Sequence, residues 1–206
     1  MKLELSPQEI IEFVADKYPE IEQLIFNANI VCHKYKGSIQ PYQAAVLYYL
    51  ARDYNHCNIL EVGTGVGYST YFLANACPNA EIVTVNPNEN EMNIARNMLL
   101  NSGVKNNTTL LQITSREYHE ICLGNDWKFD FIFIDGNHKD IKFDVQWYNR
   151  LNDKGVMVCH DYSDSNSKSP CLPVWNELTT LKHSYGEFDI LVVDTENFYG
   201  MAGWYK

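Results

Sequence analysis

From residue 58 onward the chain alternates a short apolar run with a helix-patterned segment five times in succession. The runs are "NILEV" (58–62), "EIVTV" (81–85), "TTLLQI" (108–113), "FDFIFI" (129–134) and "GVMVCH" (155–160). Residues 66–76, 88–103, 115–123, 138–150 and 173–184 lie between and after them and are expected to be helical. Strands joined through helices lie parallel, and the twist of the strands fixes the hand of each crossover. Phe131-Ile132-Phe133-Ile134 is apolar at every position, so both faces of that strand need cover. Two last runs, "FDILVVD" (188–194) and "FYGMAGWY" (198–205), are separated only by "TEN" and close the chain as a strand pair. The pattern predicts an α/β fold, a doubly wound sheet of seven mostly parallel strands with an antiparallel C-terminal strand.

Helices come first. In "SPQEIIEFVADKY" Ser6 serves as N-cap, Pro7 takes the first helical position and Glu9 closes a capping box. Further helices are expected over about 19–30 and 40–54. The 206 residues suit a single domain, with 1–55 as an N-terminal helical cap and 56–206 as the sheet core. No stretch reaches the ~20 apolar residues of a membrane span. Lys2 and Glu4 open the chain with no apolar segment of a signal peptide behind them. The six cysteines form no C-x-x-C pair, so neither a zinc site nor a disulfide framework is indicated, and a cytoplasmic location is expected. A net charge of −10 disfavours nucleic acid as partner, because a phosphate backbone calls for a basic face.

Three loops at strand exits carry the chemistry. In an open parallel sheet ligands bind beyond the carboxyl ends of the strands, so all three should gather on one edge. The first, "LEVGTGVGYS" (60–69), places Gly63, Gly65 and Gly67 between a strand and a helix. Glycines let the chain turn sharply and let a ligand approach the backbone, and the helix N-terminus beyond offers free N–H groups. This context points to a nucleoside-containing cofactor. It is not the dinucleotide G-x-G-x-x-G, since the sixth position is Tyr68, and no Gly-Lys-Ser/Thr of a P-loop follows. The other two loops end apolar runs in ionisable groups: Asp135, His138 and Asp140 after one, His160-Asp161 after the other.

Taken together, "ILEVGTGVGYST", "NPNENEMNIARNMLLNSG", "TSRE", "FIDGNH" and "CHDY" resemble, in order, the motifs of class I S-adenosylmethionine-dependent methyltransferases. The small metal-dependent O-methyltransferases are the most similar group, those of the catechol and caffeoyl-CoA type and their relatives acting on sugars and natural products. "KGSI" (36–39) is similar to the short segment preceding the first motif. The resemblance implies a Rossmann-like sheet and S-adenosylmethionine as cofactor. By position it puts Glu61 under the methionine end, and Gly63, Gly65, Gly67 and Ser69 around the carboxylate and amino groups. Ser115 and Arg116 would flank the adenine. Asn86 stands where the family has an acidic residue for the ribose hydroxyls; Glu89 is the other candidate for that contact.

The resemblance also implies a divalent ion, Mg²⁺ or Mn²⁺, held by Asp135 and Asp161. Tyr162 stands where an Asn ligand is frequent, so His160 or His138 is expected to complete the set, and imidazole favours Mn²⁺, Fe²⁺ or Zn²⁺ over Mg²⁺. His138 sits where catechol-type enzymes carry a catalytic Lys. It is read as general base, tuned by pairing with Asp135 or Asp161, and Asp135 is read as a catalytic and a further cofactor-side residue; the competing reading is a helix cap by Asn137 or His138. Tyr162, Trp175 and Tyr199 are candidates for the substrate pocket. The function expected is methyl transfer to the hydroxyl of a small molecule, by a protein that touches neither nucleic acid nor membrane and that could act as a homodimer. The alternative is a non-catalytic nucleoside-binding module or partner subunit of methyltransferase type.

Overall fold

The computed structural model describes residues 1–32, 39–52, 58–104, 108–162, 170–194 and 200–206. Outside them lie most of "KGSI", Tyr199 and most of the polar loop after Tyr162. All seven expected strands are present: β2 (Asn58–Val62), β3 (Glu81–Val85), β4 (Thr108–Leu111), β5 (Phe129–Ile134), β6 (Leu151–Cys159), β7 (Ile190–Asp194) and β8 (Gly200–Tyr205). An eighth strand, β1 (Lys2–Leu5), joins them from the segment expected to be wholly helical. It pairs parallel with β7, Leu3 opposite Val192, and its alternation of exposed Lys2 and Glu4 with half-buried Leu3 and Leu5 is that of a strand with one face covered. Four residues are too few for the pattern to stand out beside a strong capping box.

The sheet runs β1-β7-β8-β6-β5-β2-β3-β4, with β8 antiparallel to both its neighbours and the other pairs parallel. Side chains of each strand point alternately to two cores. Ile59, Phe131, Phe133, Val156 and Val158 face one core, whereas Leu60, Ile132, Ile134, Met157 and Cys159 face the other. The first core is closed by α1 (Pro7–Lys17), α2 (Glu20–Cys32), α3 (Pro41–Arg52), α4 (Tyr68–Ala76) and α5 (Glu89–Ser102). The second is closed by α6 (Ser115–Cys122), α7 (Ile141–Asp144) and α8 (Leu172–Tyr185).

Local signals set the ends of these helices. Ser6 and Glu9 form the expected reciprocal box at α1, and Gly103 ends α5 in the left-handed conformation, φ 78°. The helix expected over 138–150 is instead three short pieces, a 3-10 turn over His138–Asp140, the single turn of α7, and a second 3-10 turn over Val145–Arg150. Val145 and Trp147 both point into the core, Trp147 completely. Residues two apart diverge by about 160° on an α-helix but only about 120° in a 3-10 turn, so the tighter winding lets both be buried. Among the described residues no helix is long and apolar enough to cross a membrane.

Candidate active site

The strand order reverses beside β2: the chain leaves it for β3 on one side, while β5 lies on the other. At this switch point the carboxyl ends of β2, β3 and β5 open a cleft of about 510 Å³. The three glycines of the first loop do different work. Gly63 has φ 101°, and a Cβ there would collide with the Asp135 backbone carbonyl, so it lets the β2 and β5 exits lie side by side. Gly65, φ 49°, has open space around it and lies on the cleft wall. Gly67 packs on Ala95 and Met98 of α5, behind the cleft.

Beneath the loop Glu61 is completely buried. Its Oε2 accepts from the hydroxyls of Thr70, 2.5 Å, and Thr84, 2.6 Å. Thr84 has one proton to give, so Thr64, 2.6 Å away, donates to Thr84 in turn. Oε1 has no hydrogen-bond partner among the described residues. Burial raises the Glu61 carboxyl above its ordinary range, opposed by the neighbouring hydroxyls of Ser69, Thr70 and Thr84. Glu61 and Ser69 therefore sit beneath the glycine loop, behind the residues that line the cleft.

Asn86 directly follows β3, on the cleft wall. Its Nδ2 donates to Glu91 Oε2, 2.8 Å, and its Oδ1 accepts from the Asn88 N–H, 3.1 Å. Glu89 is exposed and does not line the cleft, whereas Glu91 does. At the far end are Thr114, Ser115 and Arg116. Thr114 and Glu117 cap α6 reciprocally, the Ser115 hydroxyl accepts from the Trp147 indole, 2.8 Å, and the Arg116 guanidinium lies 4.2 Å over the Phe143 ring. Phe143 and Asp144 complete this wall. Burial pushes the Asp144 carboxyl up to about 6. Sequence reasoning missed both, because the break of the expected helix into short turns is what aims them at the cleft.

Asp135 lies on the cleft wall and also borders a polar cluster on the exits of β5 and β6. His160 Nδ1 is 3.0 Å from Asp135 Oδ1 and 3.3 Å from Asp161 Oδ2. These contacts lack the direction of hydrogen bonds, and both ring nitrogens are buried without a hydrogen-bond partner among the described residues. Burial opposes a charge on His160, but the two carboxylates prevail and raise its pKa to about 10. Asp161 holds a left-handed backbone, φ 58°, unusual outside glycine. Burial works against its ionisation, yet the bond from His138 and the charge of the nearby His160 keep it below the usual carboxylate range.

His138 Nε2 is 2.7 Å from Asp161 Oδ2 and its Nδ1 is 2.8 Å from the Pro170 carbonyl. Both partners only accept, so the ring carries a proton on each nitrogen. The Asp161 bond raises its pKa, burial opposing. Asn137, not His138, caps the turn by accepting from Lys139 N–H. The loops after β5 and β6 thus bring Asp135, His138, His160 and Asp161 together, while Asp140 stays on the cleft side. Donor atoms of Asp135, His160 and Asp161 lie within 4.8 Å of one another, as do those of His138, Asp161 and the buried Cys171. Cys171 carried no signal in the sequence beyond its place near the polar loop.

Residues 60–162 match a family model described as a methyltransferase domain, which is half of the chain. A catechol O-methyltransferase of Niastella koreensis is 29% identical over 147 residues, 66% of this chain and 65% of that protein. A catechol O-methyltransferase of Mycobacterium tuberculosis is 27% identical over 125 residues, 60% of this chain and 56% of that protein. The match thus spans less than two thirds of these curated relatives. Among solved structures, an O-methyltransferase from Bacillus cereus in complex with S-adenosylhomocysteine is similar with a TM-score of 0.74 at 19% identity, covering 95% of this chain and 96% of that one. The O-methyltransferase TomG from Streptomyces achromogenes, involved in tomaymycin synthesis and bound to S-adenosylmethionine, has a TM-score of 0.70 at 22% identity and covers 87% of each chain. The sheet order, the glycine loop at its switch point and the matched span agree: the chain belongs to the methyltransferase-domain family.

Proposed function

We propose that this chain transfers a methyl group from S-adenosylmethionine to a hydroxyl oxygen of a small molecule. The observation that carries the reading is that the cleft at the switch point adjoins the His138–Asp161–His160 cluster, the two sharing Asp135, Gly136, Asn137 and Asp144 as a common wall. A nucleoside cofactor in the cleft would then have its reactive end beside the groups able to move a proton. When bound, S-adenosylmethionine supplies the activated methyl group. Gly65 leaves room for its backbone-side atoms, and Arg116 stacked on Phe143 walls the opposite end. The similarity to catechol O-methyltransferases supports an oxygen acceptor, and the absence of a basic surplus supports a small one.

His138 takes the acceptor's proton at Nε2 in this reading, once that nitrogen has released its own. Pro170 keeps the proton on Nδ1, so the ring presents the correct nitrogen. Asp161 orients the ring from Nε2 and must yield as the acceptor enters. The residues also fit a divalent ion: Asp135, His160 and Asp161 would hold it, and His160's two unpartnered nitrogens are the sign of a site built for more than its own side chains. One imidazole beside two carboxylates suits Mn²⁺ better than Mg²⁺. When bound, such an ion lowers the pKa of a coordinated hydroxyl.

The test is calorimetry of the parent and Gly65→Val with S-adenosylhomocysteine, repeated with Mn²⁺ in place of the nucleoside for the parent and Asp161→Asn. The parent is expected to bind both, Gly65→Val to lose the nucleoside and Asp161→Asn to lose the ion. Unchanged nucleoside binding in Gly65→Val would move the site elsewhere; indifference to Mn²⁺ would remove the ion and leave methyl transfer to His138. A non-catalytic nucleoside-binding module is the second reading, favoured by the bonds that occupy both nitrogens of His138. It gives the same binding but no methyl transfer to any hydroxyl acceptor.

A further inference from the structure

The cleft has one wall where a neutral side chain stands at a strand exit and a charged one stands beside it. Asn86, nearly buried at 7% exposure, directly follows β3. An adenosine-containing ligand bound across such a sheet presents its ribose to the exit of the second strand of the βαβ unit, where an acidic side chain accepts from the hydroxyls. An amide can accept one hydroxyl proton, without charge. Here, however, Asn86 spends both polar ends on its own neighbours. Its Oδ1 takes the Asn88 N–H, and its Nδ2 donates to Glu91 Oε2 at 2.8 Å.

Those two bonds change what Glu91 does. As the third residue of α5 it would ordinarily reach back to the N–H of the capping residue, Asn88. That N–H is already taken by Asn86. Glu91 is instead drawn sideways against Asn86, half-buried, onto the cleft wall. Among the described residues Asn86 Nδ2 is the sole group bonded to its carboxylate, so acceptor capacity remains on both oxygens. Glu89, two residues earlier, is exposed and off the wall.

We infer that the ribose hydroxyls of the cofactor are held by Glu91, with Asn86 as the residue that positions it. The carboxylate has moved from the strand to the helix, and the amide left at the strand exit has become its support. This deepens the cofactor reading of the cleft and rests on it.

The experiment is titration calorimetry with S-adenosylhomocysteine and its 2′-deoxy and 3′-deoxy analogues, on the parent, Glu91→Gln, Asn86→Ala and Glu89→Gln. Glu91→Gln keeps the shape and the bond from Asn86 is still open to its amide oxygen, so the fold is expected to hold. It should weaken S-adenosylhomocysteine about 10- to 100-fold, the usual worth of charge-assisted hydrogen bonds. The decisive readout is coupling: the deoxy analogues should bind the parent more weakly than the full nucleoside, and that penalty should vanish in Glu91→Gln. Asn86→Ala should reduce the penalty without abolishing it, and Glu89→Gln should leave it whole. A variant that loses affinity but keeps the full deoxy penalty, or that binds like the parent, overturns the assignment to Glu91 while the cofactor reading stands. A parent that takes up no S-adenosylhomocysteine overturns both.

Discussion

His138 is the residue on which sequence and structure pull hardest against each other. The sequence offers it as a base; the structure holds it between a carboxylate and a carbonyl, two acceptors that call for a proton on each nitrogen. Both hold if the proton on Nε2 leaves before the acceptor arrives. The Asp161 bond raises its pKa above the free value of about 6.5. A rate that needs neutral imidazole therefore climbs with pH through a midpoint above that value, and a bound cation shifts the midpoint down. His138→Gln should lower turnover by roughly 10²–10⁴-fold with nucleoside affinity little changed. The stability linkage runs the opposite way. A group whose pKa is raised on folding stabilises the fold fully below its unfolded value and ceases to do so as pH rises through the folded one. The parent should thus exceed His138→Gln in melting temperature at pH 5–6, with the gap closing in alkali. A flat pH–rate profile across that range would assign deprotonation to another group. At the same scale the three loop glycines, equivalent in the sequence, separate into a packing contact on Asp135, an open cleft position and a helix contact.

At the scale of elements, α6 shows how a local signal reaches the site. The Thr114 hydroxyl accepts from Glu117 N–H, 3.2 Å, and Glu117 Oε2 accepts from Thr114 N–H, 2.7 Å. This box fixes the first turn, and that turn presents Ser115 and Arg116 to the cleft. Thr114→Ala is expected to cost about 1 kcal/mol of stability and also to weaken S-adenosylhomocysteine several-fold. Denaturant midpoints and calorimetry on one preparation check both; loss of stability with intact affinity would mean the first turn is held by its neighbours. The matching signal at α5 was half legible. Asn88 caps as its spacing with Glu91 suggests, but Glu91 does not return the bond, because a residue two before the cap intercepts it. The segment 138–150 failed as a single helix since the sequence shows apolar spacing and not the demand that Val145 and Trp147 share one core.

For the whole molecule, the sheet divides two cores that meet different helices, and the site sits on the edge both share. Positions far from that edge should affect stability without touching the cofactor. Trp204 tests this. It is wholly buried in β8, three strands from β2, and its indole donates to the Gly186 carbonyl, 2.9 Å. Trp204→Ala is expected to lower the unfolding free energy by about 3–5 kcal/mol, measured in urea. S-adenosylhomocysteine affinity at 15 °C should hold for the fraction that remains folded. An equal loss of affinity would show that the β8 core and the cleft are one cooperative unit. The N-terminal strand β1 belongs to the same outer half, tied to β7 at the sheet edge.

Periodicity by itself determined seven of the eight strands, the parallel run of β2 to β6 and therefore the edge on which Gly63, Asp135 and Asp161 had to meet, because those follow from side-chain spacing and chain handedness alone. The resemblance to the methyltransferase motifs also marked Asn86 as unusual, since placing it takes only counting along one strand and helix. The tertiary structure alone decided which oxygen faces which proton. That Asn86 draws Glu91 onto the cleft wall, that Phe143 and Asp144 line the cleft, and that His138 is clamped between Asp161 and Pro170 all depend on contacts between separate elements. Hydrogen bonds act over about 3 Å and in fixed directions, so they are set by packing between elements, for which no spacing along the chain is a measure.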